Sequence, residues 1–189
     1  MAKLAWFFNF TLLSAAVLLS CVTGGMEIQE ECHEFIKSNG ALLPAQVYVS
    51  KSGRLPCRAI IHAVGPIWSS GHSNEQNLLY ETVFNVLEAA EGRSFTSIAL
   101  PAISTGIYRF PLQLATTAIL DAVKDFLKQS LPTQNLCEVH IIDQNTNVIE
   151  QFCKMAESVF EDVDNVRIVH ASDSDVALRS LAQTTRPGE

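Results

Sequence analysis

The sequence predicts an α/β sandwich, in which helices cover both faces of a sheet. Segments with strand-like apolar runs alternate with segments of helical spacing over residues 27–157. Several of the apolar runs are short and nearly continuous, which is typical of strands that are buried on both faces. The 189 residues are enough for one domain with a sizeable core. We therefore expect a single layered domain.

The first part of the alternation gives a helix and two strands. Residues 27–37 have helical spacing, with the apolar side chains on one side, and Gly40 is suited to cap the end of that helix. Residues 46–50 alternate between polar and apolar side chains, which predicts a short strand. Residues 59–64 form a β-branched apolar run that predicts a buried strand, and His62 within it is expected to be a core histidine.

The second part of the alternation continues from residue 74. Residues 74–91 carry an apolar stripe at helical spacing, and residues 96–100 read as the next buried strand. Residues 111–129 predict a helix, and Pro111 suits its first turn because an N–H group is not needed there. Residues 139–143 predict a strand with a polar end, and residues 147–157 predict a last helix.

A small-residue turn connects the strand at 96–100 to the helix at 111–129. It contains Ser104, Thr105 and Gly106. Free N–H groups and the positive end of a helix dipole meet at such a turn, which makes it a candidate anion site. Ser104 and Thr105 can add hydroxyl donors, and Gly106 lets a ligand approach the backbone. The alternative is an ordinary strand-to-helix turn, since such turns are common in α/β proteins.

Two sequence blocks carry a resemblance to a known family. The first block, Ala-Ile-Ser-Thr-Gly-Ile-Tyr-Arg-Phe-Pro at 102–111, resembles the second phosphate-binding loop of macrodomains, the modules that bind ADP-ribose. Residues 53–68 resemble the strand that ends His-Ala-Val-Gly-Pro, and residues 25–32 resemble the start of the helix before it. The match covers about residues 24–160 and is closest to macrodomains carried in tandem by some poly-ADP-ribose polymerases. The resemblance implies a three-layer α/β/α fold.

The chain departs from the family pattern in two ways. Upstream of Gly24 it has no match to the adenine-binding Asp, the Asn-Ala-Ala-Asn segment or the Gly-rich first phosphate loop of the family. In the second loop, Arg109 stands where the family has Gly, and its Cβ is unfavourable if that position needs a positive φ. The macrodomain is therefore expected to be incomplete at its N-terminus.

The resemblance implies which residues contact ADP-ribose. Tyr108 is interpreted as an exposed aromatic beside the anion loop, and the guanidinium of Arg109 can pair with a phosphate. Past the end of a strand, Asp143 and Asn145 are candidates for adenine or ribose contact, with a helix cap as the alternative. The implied ligand-binding residues are Ser104, Thr105, Gly106, Ile107, Tyr108, Arg109, Asp143 and Asn145.

Three functions are compatible with this resemblance. The first is binding of ADP-ribose or ADP-ribosylated proteins through the Gly-containing loop, weakened by loss of the N-terminal half of the pocket. The second is an ADP-ribosyl hydrolase, although no catalytic residue can be assigned because family members use the missing segments. The third is a truncated macrodomain that binds no ligand and acts as an interaction surface. No metal site or cofactor is expected, and ADP-ribose is the ligand.

The amino-acid composition limits which binding partners and which cellular compartment are expected. The net charge of −7 argues against direct nucleic-acid binding, which needs a basic surface. The five cysteines are scattered, with no Cys-x-x-Cys pair and no zinc spacing. Reduced, buried thiols fit this pattern, which favours the nucleus or the cytoplasm.

The two ends of the chain are assigned separately from a macrodomain at 24–163. Residues 4–26 lack charge, and three interpretations of the segment 1–23 stay open: a secretory signal or membrane anchor, a replacement first core helix at residues 11–22, or an unrelated start joined to a truncated domain. Membrane contact and the secretory pathway apply only to the first of these. We expect residues 4–22 to be helical. Residues 164–189 are predicted to hold an edge strand at 167–170 and a mobile tail.

Overall fold

A computed structural model describes residues 4–9, 24–129 and 134–163. Strands and helices alternate along the chain, as the sequence predicts. In chain order, the elements are β1 (Leu4–Asn9), α1 (Met26–Asn39), β2 (Val47–Ser50), β3 (Ile60–Ala63), α2 (Glu75–Glu91), β4 (Ser97–Pro101), α3 (Leu112–Lys128), β5 (Glu138–Ile142) and α4 (Thr146–Val159).

The strands form one sheet with the order β2-β3-β1-β4-β5. The central strand β1 runs parallel to both β3 and β4, and β5 runs parallel to β4. At one edge, β2 is antiparallel to β3. Parallel neighbours need crossover connections, and the helices α2 and α3 supply two of them. The predicted α/β class is confirmed.

Helices lie on both faces of this sheet. Alternate residues of β3 point to opposite faces, as in any strand. Ile61 and Ala63 belong to the large core shared with α2, α3 and α4. Ile60 packs instead against Ile28 and Cys32 of α1. The three-layer arrangement expected from the resemblance is therefore present.

The helix boundaries agree with the sequence patterns to within about two residues. Gly40 caps α1 at a φ of 85°, and its N–H donates to the carbonyl oxygen of Ile36 at 2.8 Å. Such a left-handed conformation favours glycine, which has no Cβ to clash. None of the described helices is both long and apolar enough to span a membrane.

The expectation of a helix over residues 4–22 is wrong for Leu4–Asn9, which form β1. Strand β1 pairs with β3 from Trp6 to Asn9, and it pairs with β4 at Leu4 and Ala5. Two parallel strands flank this position, and a helix there would leave rows of buried backbone groups unpaired at about 1–3 kcal/mol each. Residues 10–23 and the predicted strand and tail at 164–189 lie outside the described residues.

Candidate functional site

The loops that follow β3 and β4 meet at the end of the central strand. Because β1 lies between β3 and β4 and runs parallel to both, the carboxyl ends of the three strands share one edge of the sheet. The chain passes from β1 to β2 and β3 on one side, and then to β4 and β5 on the other. A change of direction of this kind opens a crevice at the carboxyl ends of strands, where ligands of α/β proteins bind.

The β4–α3 loop, residues 102–111, is held in shape by its own backbone. The N–H of Phe110 donates to the carbonyl oxygen of Ser104, and the N–H of Arg109 donates to that of Gly106, each at 3.0 Å. Ser104 and Arg109 have φ angles of 67° and 54°, in the left-handed region. Non-glycine residues in this region cost about 1–2 kcal/mol, so two strained residues bracket the turn.

Several donors of this loop face no acceptor within the described ranges. The N–H groups of Gly106 and Ile107 make no hydrogen bond there, and both residues are exposed. The hydroxyl of Ser104 is also without a hydrogen-bond partner in the described part, although the residue is only 6% exposed. Of the two predicted hydroxyl donors, Thr105 instead gives its proton to the carbonyl of Ala102 at 2.8 Å.

The β4–α3 loop packs directly on the β3–α2 loop, residues 64–74. The N–H of Trp68 donates to the carbonyl oxygen of Tyr108 at 3.0 Å, and its indole ring lies 4.7 Å from the ring of Phe110. A Cβ added to Gly65 would overlap the hydroxyl oxygen of Ser104. Gly65 is therefore the residue that allows the two loops to approach.

Tyr108 is placed differently from the sequence interpretation. It is buried, at 6% exposure, rather than being an exposed aromatic. Its backbone is tied to Trp68, and the neighbouring Phe110 is also buried, so both rings of this segment belong to the protein interior. The exposed apolar side chain of the turn is that of Ile107, at 63%.

Arg109 has a positive φ, the conformation in which a Cβ is unfavourable and the glycine of the family would not be strained. Its side chain is exposed, and it makes no ion pair with any described residue. No ion pair among the described residues therefore compensates for the backbone cost at Arg109. The guanidinium belongs to the same loop as the exposed Gly106 and Ile107, so it adds a positive charge to that loop.

Asp143 and Asn145 follow the carboxyl end of β5 and act in capping α4. The side-chain oxygen of Asn145 accepts the N–H of Asn147 at 3.0 Å, which makes Asn145 the N-cap of the helix. A carboxylate oxygen of Asp143 accepts the N–H of Asn145 at 2.8 Å. Capping is thus established for Asn145, while ligand contact by either residue stays a prediction.

Glu75 is a residue that the sequence reasoning did not single out. It begins α2 and is only 2% exposed, although the loop before it is exposed. One oxygen, Oε1, accepts the Ser69 hydroxyl at 2.7 Å and the N–H groups of Ser69, Ser70 and Gly71 at 3.2 Å. The other oxygen accepts the N–H of Ser73 at 2.8 Å.

These hydrogen bonds, the Ser69 hydroxyl foremost, hold the pKa of Glu75 well below its usual range. The carboxylate therefore stays ionised at the centre of the loop. The local signal was a Ser- and Gly-rich stretch followed by an acidic residue in the first turn of a helix.

His62 is buried in β3, as predicted for a core histidine. Its Nε2 atom lies 2.8 Å from the Ser50 hydroxyl and 3.5 Å from the thiol of Cys32. Burial lowers the pKa of His62 to about 4, so the ring is neutral at physiological pH. It lies on the face covered by α1 and takes no part in the crevice.

Two other features lie away from the crevice. A groove of about 540 Å³ runs along the end of α1 and the start of β2, and none of the predicted site residues lines it. No group of three His, Cys, Asp or Glu side chains in the described ranges is arranged to hold a metal ion.

Comparisons with known proteins agree with this geometry. The family model described as macro domain matches residues 22–119. The human protein mono-ADP-ribosyltransferase PARP14 is 36% identical over 138 residues, which is 72% of this chain and 8% of PARP14. An O-acetyl-ADP-ribose deacetylase of Citrobacter rodentium is 32% identical over 127 residues, which is 67% of this chain and 72% of that protein.

A solved structure shares the fold. The Oceanobacillus iheyensis macrodomain with ADP superposes with a TM-score of 0.74 at 24% identity and covers 86% of each chain. The family match spans β3, α2, β4 and the β4–α3 loop, so it includes both loops of the crevice. The chain belongs to the macro domain family.

Proposed function

We propose that this chain binds ADP-ribose, free or attached to protein, with the diphosphate against residues 104–108. The observation that carries the proposal concerns the exposed N–H groups of Gly106 and Ile107, which have no hydrogen-bond partner among the described residues and belong to the same turn as the buried Ser104 hydroxyl. Diphosphates bind well to converging backbone donors at a turn before a helix. Family membership and the ADP in the Oceanobacillus iheyensis macrodomain support this ligand.

The rest of the ligand would extend along the carboxyl ends of the strands. Asp143 and Asn145 follow β5, on the far side of β4 from the central strand, and are the proposed contacts for the adenine or the ribose. The chain has no match to the adenine-binding Asp or the first phosphate loop of the family. We therefore expect weaker binding than that of a macrodomain which has both.

Calorimetric titration of the purified full chain with ADP-ribose tests the proposal. Saturable binding that is lost in Gly106→Glu supports it, because that variant places a carboxylate among the backbone donors. Gly92→Ala is a matched control, because Gly92 lies after α2, away from the crevice. Absence of binding to the wild-type chain would favour the third function, a macrodomain that serves as an interaction surface.

Hydrolysis of an ADP-ribose ester is the second candidate. It rests on the deacetylase relative, of which this chain covers 72%. Against it, none of the described side chains is assigned to activate water. Incubation with O-acetyl-ADP-ribose distinguishes the two functions. Ester cleavage that exceeds that of Gly106→Glu would establish the hydrolase and overturn a pure binding role.

The predicted partners and compartment follow from the same proposal. ADP-ribose or an ADP-ribosylated protein is the partner, and the net charge of −7 makes direct nucleic-acid binding unfavourable. Localisation to the nucleus or the cytoplasm stays a prediction from the scattered cysteines.

A further inference from the structure

We infer that Glu75 is a positioning residue for the β4–α3 loop, which is the proposed ligand-binding loop, and that it acts through Trp68. The inference rests on the proposed function, because it assigns a role in the same site. Glu75 itself does not belong to the β4–α3 loop. It begins α2 and acts on the neighbouring β3–α2 loop, whose five donors at Ser69, Ser70, Gly71 and Ser73 converge on its carboxylate.

The β3–α2 loop has no other anchor of this kind among the described residues. Residues 69–74 are exposed, and only the buried carboxylate of Glu75 gathers their N–H groups within the described hydrogen bonds. Hydrogen bonds to an ionised acceptor are about twice as strong as neutral ones. The conformation of the β3–α2 loop therefore depends on this side chain.

The β3–α2 loop contacts the ring of Trp68 through Gly71. Gly71 has a φ of 80°, and a Cβ at this position would lie 2.9 Å from Cη2 of the indole. The ring therefore rests against the bare backbone of Gly71, which Glu75 holds at 3.2 Å through its N–H. Displacement of Gly71 would remove one wall of the space that Trp68 occupies.

Trp68 in turn contacts the β4–α3 loop. Its N–H donates to the carbonyl oxygen of Tyr108, and its ring packs against Phe110. Tyr108 directly follows Ile107, whose N–H is one of the two exposed donors. A series of direct contacts thus leads from the Glu75 carboxylate to the backbone that faces the diphosphate. Contacts of this kind transmit displacement because packed interiors do not deform freely.

The chain provides a matched control at the opposite end of the same helix. Glu91 is the last residue of α2, and its carboxylate accepts the N–H and side-chain amide of Asn135 and the N–H of Leu136 at 2.8–3.1 Å. It also anchors a backbone segment, but that segment leads into β5 from its amino end, away from the crevice. Glu91→Gln therefore removes a comparable anchor without reaching the site.

The test compares Glu75→Gln with Glu91→Gln in the full chain. Hydrogen exchange without ligand measures opening of residues 102–111, and titration with ADP-ribose measures affinity. We expect Glu75→Gln to accelerate hydrogen exchange of residues 102–111 about tenfold and to weaken ADP-ribose binding about tenfold. Each change corresponds to the loss of about one charge-assisted hydrogen bond. Glu91→Gln is expected to lower thermal stability and to leave both quantities at wild-type values.

Ser69→Ala serves as a milder variant, because it removes one donor to the carboxylate and leaves α2 intact. If Glu75→Gln does not fold, smaller changes in Ser69→Ala in the same two measurements support the inference. The inference is wrong if a variant exchanges faster over residues 69–74 but keeps the wild-type exchange rate over residues 102–111. If the wild-type chain binds no ADP-ribose, the proposed function fails, whereas the exchange comparison still decides whether Glu75 positions the loop.

Discussion

Substitution of Gly65 by alanine should destabilise the fold by forcing apart the two loops of the crevice. The added Cβ would overlap the hydroxyl oxygen of Ser104 and lie 2.7 Å from Cγ2 of Ile103, where an ordinary contact is at least 3.4 Å. Both neighbours are buried, at 6% and 3% exposure, so neither can swing into solvent. The β4–α3 loop must therefore shift as a unit.

The size of the effect follows from overpacking. Extra methyl groups in a packed interior cost about 1–3 kcal/mol. For a chain of this length each kcal/mol lowers the unfolding temperature by about 2–4 °C, so we expect a decrease of about 2–12 °C. Binding of ADP-ribose should weaken by about tenfold or more, because a shift of the β4–α3 loop that removes one hydrogen bond to the charged diphosphate costs about 1.5–3 kcal/mol.

Gly106→Ala is the matched substitution within the same crevice. A Cβ at Gly106 meets no atom within 4 Å, and its φ is not positive, so stability should stay unchanged or rise by up to about 1 kcal/mol. Thermal unfolding of both variants, followed by calorimetric titration, measures the difference. A Gly65→Ala variant as stable as the wild type would refute the close approach of the two loops.

The remaining predictions concern the turn, the strained arginine, the buried histidine and the central strand. Gly106→Glu should abolish ADP-ribose binding in a calorimetric titration while the chain stays folded, and wild-type affinity would place the diphosphate elsewhere. Arg109→Gly relieves a φ of 54° and should raise the free energy of unfolding, measured in urea, by about 1 kcal/mol. A decrease in that free energy would argue against backbone strain at Arg109. Because burial lowers the pKa of His62 to about 4, the unfolded chain binds more protons between pH 6.5 and pH 4, and stability should fall by up to about 3 kcal/mol as the pH decreases. Urea unfolding of His62→Asn at pH 7 and pH 5 should show a smaller pH dependence than the wild type, and equal dependence would contradict the assignment. Deletion of residues 1–22 removes β1 from between β3 and β4 and should give aggregates in gel filtration, so a folded monomer would contradict the central position of β1.

Local patterns in the sequence determined most of the element types. Helical spacing identified α1 to α4, polar and apolar alternation identified β2, and apolar runs identified β3 to β5, because these elements bury the faces on which their apolar residues recur. The macrodomain blocks also identified the family, which the comparisons support. The positive φ of Arg109 could be anticipated from the sequence, because the macrodomain family has a glycine at this position.

The tertiary structure decided what depends on contacts between distant residues. The charge-free start of the chain is compatible with a helix or a strand, and the position between β3 and β4 makes Leu4–Asn9 a strand. Likewise, the carbonyl oxygen of the buried Tyr108 accepts the N–H of Trp68, which lies forty residues earlier in the chain. Neither arrangement leaves a periodic signal in the segment itself.

The candidate site shows the same division. The turn at residues 104–106 could be located from its small residues, its preceding strand and its following helix, since these features are adjacent in the chain. The roles of Gly65 and Glu75 could not, because each depends on atoms of other segments that the fold brings within contact distance. Sequence determined where backbone donors would be exposed, while packing between the two loops determined how firmly those donors are held.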